Sequence, residues 1–374
     1  MKVFLFTFLV GLTFVGLLNL YVDPANRWHE TRKGGTFDFQ QNWNKDEIFI
    51  TPDNFDERLY VISHLKVIPK PDILLLGSSR VMLVDSQMFN KDLSIFNAGV
   101  SGASIQDYIA IWQFLKNKDK LPTYLVIFLD AWVFNKNNGQ LRWQTNLELY
   151  EQFSGSPSLK TSPLIALKRA KRSILEIADL FTWSILEKSL LILRGGIYQT
   201  GIVKVNKLPS EAKGKRFDGS LIYPVKLTQV PSLEEISKKS LEYTKGHIYS
   251  LYNWKFDENA YQDLTKLLKD VHEHGIRTLI VLPPYQHLTL KKLSELPDYK
   301  EALPTTKNTI TTRLAKESEI SFDFCNALDP VENGCAETEF MDGMHMLRIC
   351  AEKVTIKCLE SFNKDLLPSD GYTF

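Results

Sequence analysis

Cysteine is scarce in this chain and confined to its end: Cys325, Cys335, Cys350 and Cys358 are the only four in 374 residues. No two form a Cys-x-x-Cys pair, so the spacing of a structural zinc site is missing and no metal is expected. An excess of one charge is lacking too. The 45 Lys and Arg offset 44 Asp and Glu to a net charge of +1. With no basic stripe interleaved with aromatics, nothing argues for nucleic acid as a partner. Internal repeats and low-complexity tracts are absent, which sets aside solenoids and biased linkers. What remains is 44% hydrophobic and 24% charged. That is enough to bury a sizeable core in one large domain or two small ones.

Val3–Val22 carries no charged residue and follows Lys2. Twenty helical residues at about 1.5 Å each span roughly 30 Å, the thickness of bilayer hydrocarbon. The rival is a cleaved signal peptide, whose apolar region runs about 7–15 residues and ends in a small-x-small site. Asn19-Leu20-Tyr21 offers no such site, so residues 1–22 are expected to be a retained single-pass anchor. Arg27, Arg32 and Lys33 follow the span while only Lys2 precedes it. That count does not favour a body outside the membrane.

Residues 23–70, with Asp23-Pro24 and Gly34-Gly35, read as a lead-in with little regular structure. From Pro71 the pattern becomes α/β. Asp72–Leu76 has the length and composition of a buried parallel strand, and a second short strand ends near Phe96. Tyr124–Leu129, Ile276–Leu282 and Ile320–Phe324 are further strands. Ser104 and Asp107 form a capping-box pattern ahead of Ile105, Tyr108, Ile109, Trp112 and Leu115, which repeat with helical spacing. Tyr261, Leu264, Leu267, Leu268 and Val271 mark another helix, stopped by Gly275. Leu347, Ala351, Val354, Cys358 and Phe362 share one face of a closing helix. Strands alternating with helices predict a mostly parallel sheet covered on both sides, built from residues 71–140 and 255–365, with 366–374 as a tail.

Residues 141–254 break that alternation and read as an insertion or cap. Pro163–Leu193 has helix-forming composition. Its apolar positions, Leu164, Leu175, Ile177, Leu180 and Ile185 among them, are expected to face a core rather than a membrane. Gly195-Gly196 ends that stretch, and Gly214–Tyr223 has the look of loop and hairpin. In the closing helix Cys350 and Cys358 fall about 12 Å apart, too far for a mutual disulfide. Cys325 and Cys335 are spaced to close a short loop. Clustered cysteines favour an oxidising compartment, with four buried free thiols as the other reading.

Three stretches carry chemistry. Gly77-Ser78-Ser79-Arg80 follows a strand and precedes helix-compatible sequence. That predicts a serine at the sheet's carboxyl edge with its N–H at a helix N-terminus, where developing negative charge is favoured; the plain reading is an N-capped turn. In Met341-Asp342-Gly343-Met344-His345 an Asp three residues before a His can fix the imidazole through Nδ1–H. Nε2 is then free to take a serine proton. Phe96–Ser104 is a glycine-containing loop before a capped helix, and Gly102 has no side chain to keep its N–H from an oxyanion.

In this order the three stretches resemble the SGNH, or GDSL-like, serine esterase superfamily. The resemblance covers about 71–135 and 276–350 and implies a flavodoxin-like α/β/α sandwich. It implies Ser79 as nucleophile, with Ser78 in place of the usual aspartate. Asp342 and His345 would be acid and base, and the N–H groups of Ser79 and Gly102 the oxyanion donors. No metal or organic cofactor is implied. One block departs. Where the family has Gly-x-Asn-Asp, whose Asn is an oxyanion donor, this chain has Leu129-Asp130-Ala131-Trp132-Val133-Phe134-Asn135. Asn135 serves only if the loop is differently shaped, and Trp132 is expected to pack. Losing one such donor costs about 10²–10³ in rate.

The span followed by Tyr21-Val22-Asp23-Pro24, then Leu76–Arg80, Asn97-x-Gly99-Val100-Ser101-Gly102 and Leu129-Asp130-x-Trp132-x-Phe134, is similar to a membrane-anchored SGNH-like group. That group includes proteins of teichoic-acid D-alanylation and alginate O-acetylation, which work beside membrane-bound O-acyltransferases. The resemblance implies a body outside the cytoplasmic membrane. It also implies an esterase or O-acyltransferase acting on a cell-envelope glycopolymer through an acyl-serine. The alternative is a catalytically inactive scaffold that binds a polymer or a membrane-bound O-acyltransferase.

Overall fold

The computed structural model describes residues 2–24, 43, 45–51, 55–155, 174, 177–195, 201–245, 251–297 and 299–368. Its strands are β1 (Glu47–Ile50), β2 (Ile73–Leu76), β3 (Ile95–Asn97), β4 (Tyr124–Phe128), β5 (Gly201–Lys204), β6 (Gly214–Arg216), β7 (Leu221–Ile222), β8 (Arg277–Leu282) and β9 (Asp323–Asn326). The longer helices are α1 (Lys2–Val22), α2 (Glu57–Val67), α3 (Ile105–Asn117), α4 (Leu147–Ser154), α5 (Trp183–Leu193), α6 (Leu233–Lys245), α7 (Glu258–Glu273), α8 (His287–Glu295), α9 (Ala302–Asn308) and α10 (Arg348–Phe362).

Five strands form a sheet of order β3-β2-β4-β8-β9 in which every pair is parallel. Counted by appearance, the order is second-first-third-fourth-fifth. A sheet wound in this way opens its ligand crevice beyond the carboxyl ends of its first and third strands, here β2 and β4. Successive side chains on a strand point to opposite faces. Ile73, Leu75, Val126, Phe128, Leu279 and Val281 therefore pack with Ala351, Val354 and Phe362 of α10. Leu74, Leu76, Leu125, Ile127, Ile280 and Leu282 pack with Tyr108 and Trp112 of α3 and Leu264 and Leu267 of α7. Burial on both faces is why these strands read as unbroken apolar runs. The capping box of Ser104 and Asp107 opens α3 as expected. The last strand lies later than expected, at Asp323–Asn326, on an edge where only β8 is its neighbour.

A second, antiparallel sheet of order β5-β1-β6-β7 was not foreseen. Ile48 of β1 faces Val203 of β5 on one side and Arg216 of β6 on the other. The lead-in therefore supplies a strand and helix α2, and residues 201–222 supply its partners. The hairpin within Gly214–Tyr223 is present, as β6 and β7.

The cysteines pair as Cys325–Cys358 and Cys335–Cys350. This corrects both the Cys325–Cys335 loop and the free-thiol reading: Cys358 and Cys350 on α10 each take a partner from the segment before it. Helix α1 is, among the described residues, the one long and apolar enough to cross a membrane. The expected burial of the 163–193 stretch in a core is also corrected for its described residues, 174 and 177–193. Ile177 is 49% exposed, and Leu180 and Ile185 are only partly buried. Leu164, Leu175, Gly196, Gly34, Gly35, Arg27, Arg32 and Lys33 lie outside the described residues.

Candidate active site

Strand β2 ends at Leu76, and Gly77–Arg80 continues as turns rather than as the start of a helix. The expected strand-to-helix junction is corrected for a visible reason. The amide of Asn97, at the end of β3, donates to the carbonyls of Val81 and Val84 at 2.8 Å each. Those bonds tie the turn to the end of β3, while the turn's own bonds run i→i+3, the Val81 N–H to Ser78 O at 3.2 Å and the Val84 N–H to Val81 O at 2.9 Å, and not in a helical i→i+4 ladder. Ser78 is buried and its hydroxyl accepts the Arg80 N–H at 3.2 Å, while Ser79 stays partly exposed.

The Asp342–His345 stretch is a narrow loop closed by a bridge between Phe340 and Met346 and by the Met341 N–H donated to His345 O at 2.8 Å. Asp342 Oδ1 accepts the N–H groups of Met344 and His345, both at 2.8 Å. Its Oδ2 lies 2.8 Å from His345 Nδ1, and His345 Nε2 lies 2.8 Å from Ser79 Oγ. With Nδ1–H donated to the carboxylate, Nε2 is left to accept the serine proton. Burial acts to raise the Asp342 carboxyl. The hydrogen bond and charge of His345 and the two N–H donors outweigh it and hold the carboxyl below its ordinary range. Ser79, His345 and Asp342, 266 residues apart at the extremes, thus form one hydrogen-bonded chain.

Gly102 adopts a φ of 57°, in the left-handed region that favours glycine. Its loop runs beside the serine turn through the Val100 N–H donated to Gly77 O at 3.1 Å. Two residues of α2 hold that loop. Arg58 donates to the carbonyls of Ser101 and Gly102 and is itself fixed by Asp107 at 2.7 and 2.9 Å. Glu57 accepts the Ser101 N–H. Burial acts to raise the Glu57 carboxyl, but Lys213, Lys215 and the Ser101 donor bring it below its ordinary value.

The block after β4 behaves otherwise than an oxyanion donor would. Trp132 is buried, with its indole N–H directed at Ala103 O. Asn135 is fully buried as well. Its amide donates to Tyr252 O, and its Oδ1 accepts from the N–H groups of Asn137 and Lys255. Asn135 therefore fastens the 252–255 backbone, which corrects its expected place as a third donor.

Sequence reasoning missed Arg80 and Asp130 although both stood inside the quoted motifs. They form a salt bridge of 2.8 Å with both side chains about fully buried, at 1% and 0% exposure. Arg80 also donates Nε–H to Met344 O at 3.2 Å and Nη2–H to the carbonyls of Pro283 and Pro284, and it lies over the Tyr285 ring. One guanidinium thus ties the serine turn to the loops after β4 and β8 and to the loop of His345. Burial pushes the Asp130 carboxyl up, against the pull of Arg80. The available signal was opposite charge at the carboxyl ends of two strands that adjoin in this sheet. Tyr243 of α6, likewise missed, donates its hydroxyl to Met344 Sδ.

No protein-family model matches the chain, and no curated protein matches it.

Proposed function

We propose that the chain is a membrane-anchored serine esterase or O-acyltransferase of the SGNH type, acting on a cell-envelope polysaccharide or glycopolymer. The Ser79–His345–Asp342 chain at the carboxyl edge of the parallel sheet carries this reading. His345 Nε2 takes the proton as Ser79 Oγ adds to the acyl carbonyl, with the N–H groups of Ser79 and Gly102 facing the oxyanion. Collapse expels the donor oxygen, protonated by His345, and leaves an acyl-Ser79. A sugar hydroxyl or water then gives its proton to His345 and takes the acyl group. Asp342 keeps the imidazole in the required tautomer and balances its charge. The body is read as an α/β/α sandwich outside the membrane, with α1 retained as its anchor. The two disulfides support an oxidising side.

A second reading, a non-catalytic scaffold that binds a glycopolymer or a membrane-bound O-acyltransferase, draws on the engagement of Trp132 and Asn135 away from any oxyanion. A fluorophosphonate probe on the detergent-solubilised full chain separates the two. Labelling of the wild type that disappears in Ser79→Ala supports the enzyme. A folded wild type that takes no label, together with full biological function of Ser79→Ala, supports the scaffold. Incubating the chain with a chromogenic acetyl ester and graded oligosaccharides then sorts transfer from hydrolysis. Acylated sugar formed at the expense of free acid marks transfer.

A further inference from the structure

Helix α1 does not leave the body as a bare tether. Most of Val3–Phe14 is exposed, while Gly16 and Asn19 are buried against residues 177–193. The Phe181 ring lies on Gly16 so closely that a Cβ there would come within 2.5 Å of it. Asn19 Nδ2 donates to Leu180 O at 2.6 Å, and Ser189 Oγ donates to Asn19 Oδ1 at 2.8 Å. Asn19 and Ser189 are both fully buried. Close approach over a small residue and a closed polar pair are the two devices that hold helices together in lipid.

Away from α1 the same segment leaves large apolar side chains open, with Thr182, Ser184 and Glu187 exposed among them. Phe181, Trp183 and Leu193 are 42%, 73% and 55% exposed, a cost in water that a bilayer would remove. Depth follows from α1, with Val22 set at the edge of the hydrocarbon. At about 1.5 Å per residue, Asn19 lies about 4.5 Å and Gly16 about 9 Å inside it. Phe181, seated on Gly16, therefore reaches the depth of about 5–10 Å at which interfacial amphipathic segments rest. Glu187 and Lys188 adjoin Ser189, at the shallower level of Asn19, where headgroups and water receive long charged chains. Trp183 is the residue type that such interfaces collect.

We infer that residues 177–193 are a second membrane-contacting element, seated in the interfacial layer of the leaflet through which α1 joins the body. The phospholipid bilayer itself is the partner. The inference rests on the reading of α1 as a retained anchor. Lipid is the occupant because the open surface is continuous with the span and lies at interfacial depth. Two points of attachment stop the body from swinging about a single helix and fix the side it presents to the membrane.

All four native cysteines are paired, so one introduced cysteine can carry an environment-sensitive fluorophore. The full chain, labelled at Trp183→Cys, Leu193→Cys or Val10→Cys, is reconstituted into phosphatidylcholine–phosphatidylglycerol vesicles. These contain lipids with a quencher at a shallow or a deep acyl position, and quencher-free vesicles set the baseline. The labels at 183 and 193 should lose most of their emission to the shallow quencher and less to the deep one, and the label at 10 the reverse. An unquenched label at 183 beside a quenched label at 10 overturns the inference and leaves the anchor standing. If the label at 10 is unquenched as well, the anchor reading fails and the inference falls with it. Emission at 183 that follows protein concentration and ignores lipid would assign the surface to a second copy and also overturn it. Should Trp183→Cys fold poorly, Leu193→Cys decides the same question.

Discussion

Strands β1 and β2 are each four residues long and largely buried, yet they join their sheets in different ways. β2 takes β3 and β4 as neighbours, the next two strands along the chain, while β1 waits for residues 201–216. The first kind of sheet delivers the groups proposed to react: Ser79 follows β2, and the His345 loop meets it at the sheet's carboxyl edge. The second kind holds the frame. Glu57 and Arg58, just after β1, grip the loop of Gly102, and Lys213 and Lys215 come from the segment of β6. Changes to the Ser79–His345–Asp342 chain should therefore remove chemistry, and changes to the groups that brace it or build the antiparallel unit should alter stability first.

The largest expected effect tests the reacting half. Ser79→Ala and His345→Ala should each lower ester turnover by about 10⁶, and Asp342→Asn by about 10⁴, because members of a triad act as a unit. Single-turnover hydrolysis of a chromogenic ester, with near-ultraviolet circular dichroism as a check on folding, measures this. A His345→Ala chain that turns over at the wild-type rate would end the triad reading.

Next comes the buried pair beneath the site. Asp130→Ala leaves the Arg80 guanidinium buried without its carboxylate. Losing one partner of such a pair costs about 3–5 kcal/mol, which urea unfolding would register as an earlier midpoint. An unmoved midpoint would mean that the Pro283, Pro284 and Met344 carbonyls suffice to hold Arg80.

A smaller effect is expected at the disulfide that brackets the loop of Asp342 and His345. Cys335–Cys350 has a sequence separation of 15 and encloses both Asp342 and His345. Closing a loop of that length restricts the unfolded chain by about 3 kcal/mol. The Cys335→Ala/Cys350→Ala chain should lose about that much stability, read from thermal or denaturant unfolding. A double variant as stable as the wild type would show that the bridge between Phe340 and Met346 closes the loop unaided.

The same contrast decides what could be read before the structure. The strand at residue 73, the capped α3 and the face of α10 were legible because their signals are local and periodic, and so was the meeting of Ser79, His345 and Asp342. β1 was not, since a four-residue strand whose partners lie in residues 201–216 leaves no pattern in its own neighbourhood. Arg58 and Glu57 were hidden for the same reason, as their partners are Asp107, Ser101 and Lys213. The cysteine spacing misled because α10 turns Cys350 and Cys358 back onto the segment before it. Asn135 was drawn to the site by its position in a motif, whereas its side chain is spent on residues 252–255.

The smallest expected effect sharpens the comparison from the framing side. Lys215 of β6 is fully buried, donates to Gly219 O at 3.0 Å and shares its surroundings with Glu57. Burial brings its ammonium down from the ordinary lysine range to about 8, with Glu57 and Asp218 pulling it up and Lys213 pushing it down. In the unfolded chain it titrates near about 10.4. Between those values the folded state has released the proton while the unfolded state still binds it. Stability must therefore rise with pH across that window, and the penalty of holding the charge persists below it. Lys215→Met should flatten that rise in a series of urea unfolding curves. Glu57→Gln, by removing a charge that steadies the ammonium, should shift its onset to lower pH. A Lys215→Met chain with the same alkaline rise as the wild type would show that Lys215 is not its source.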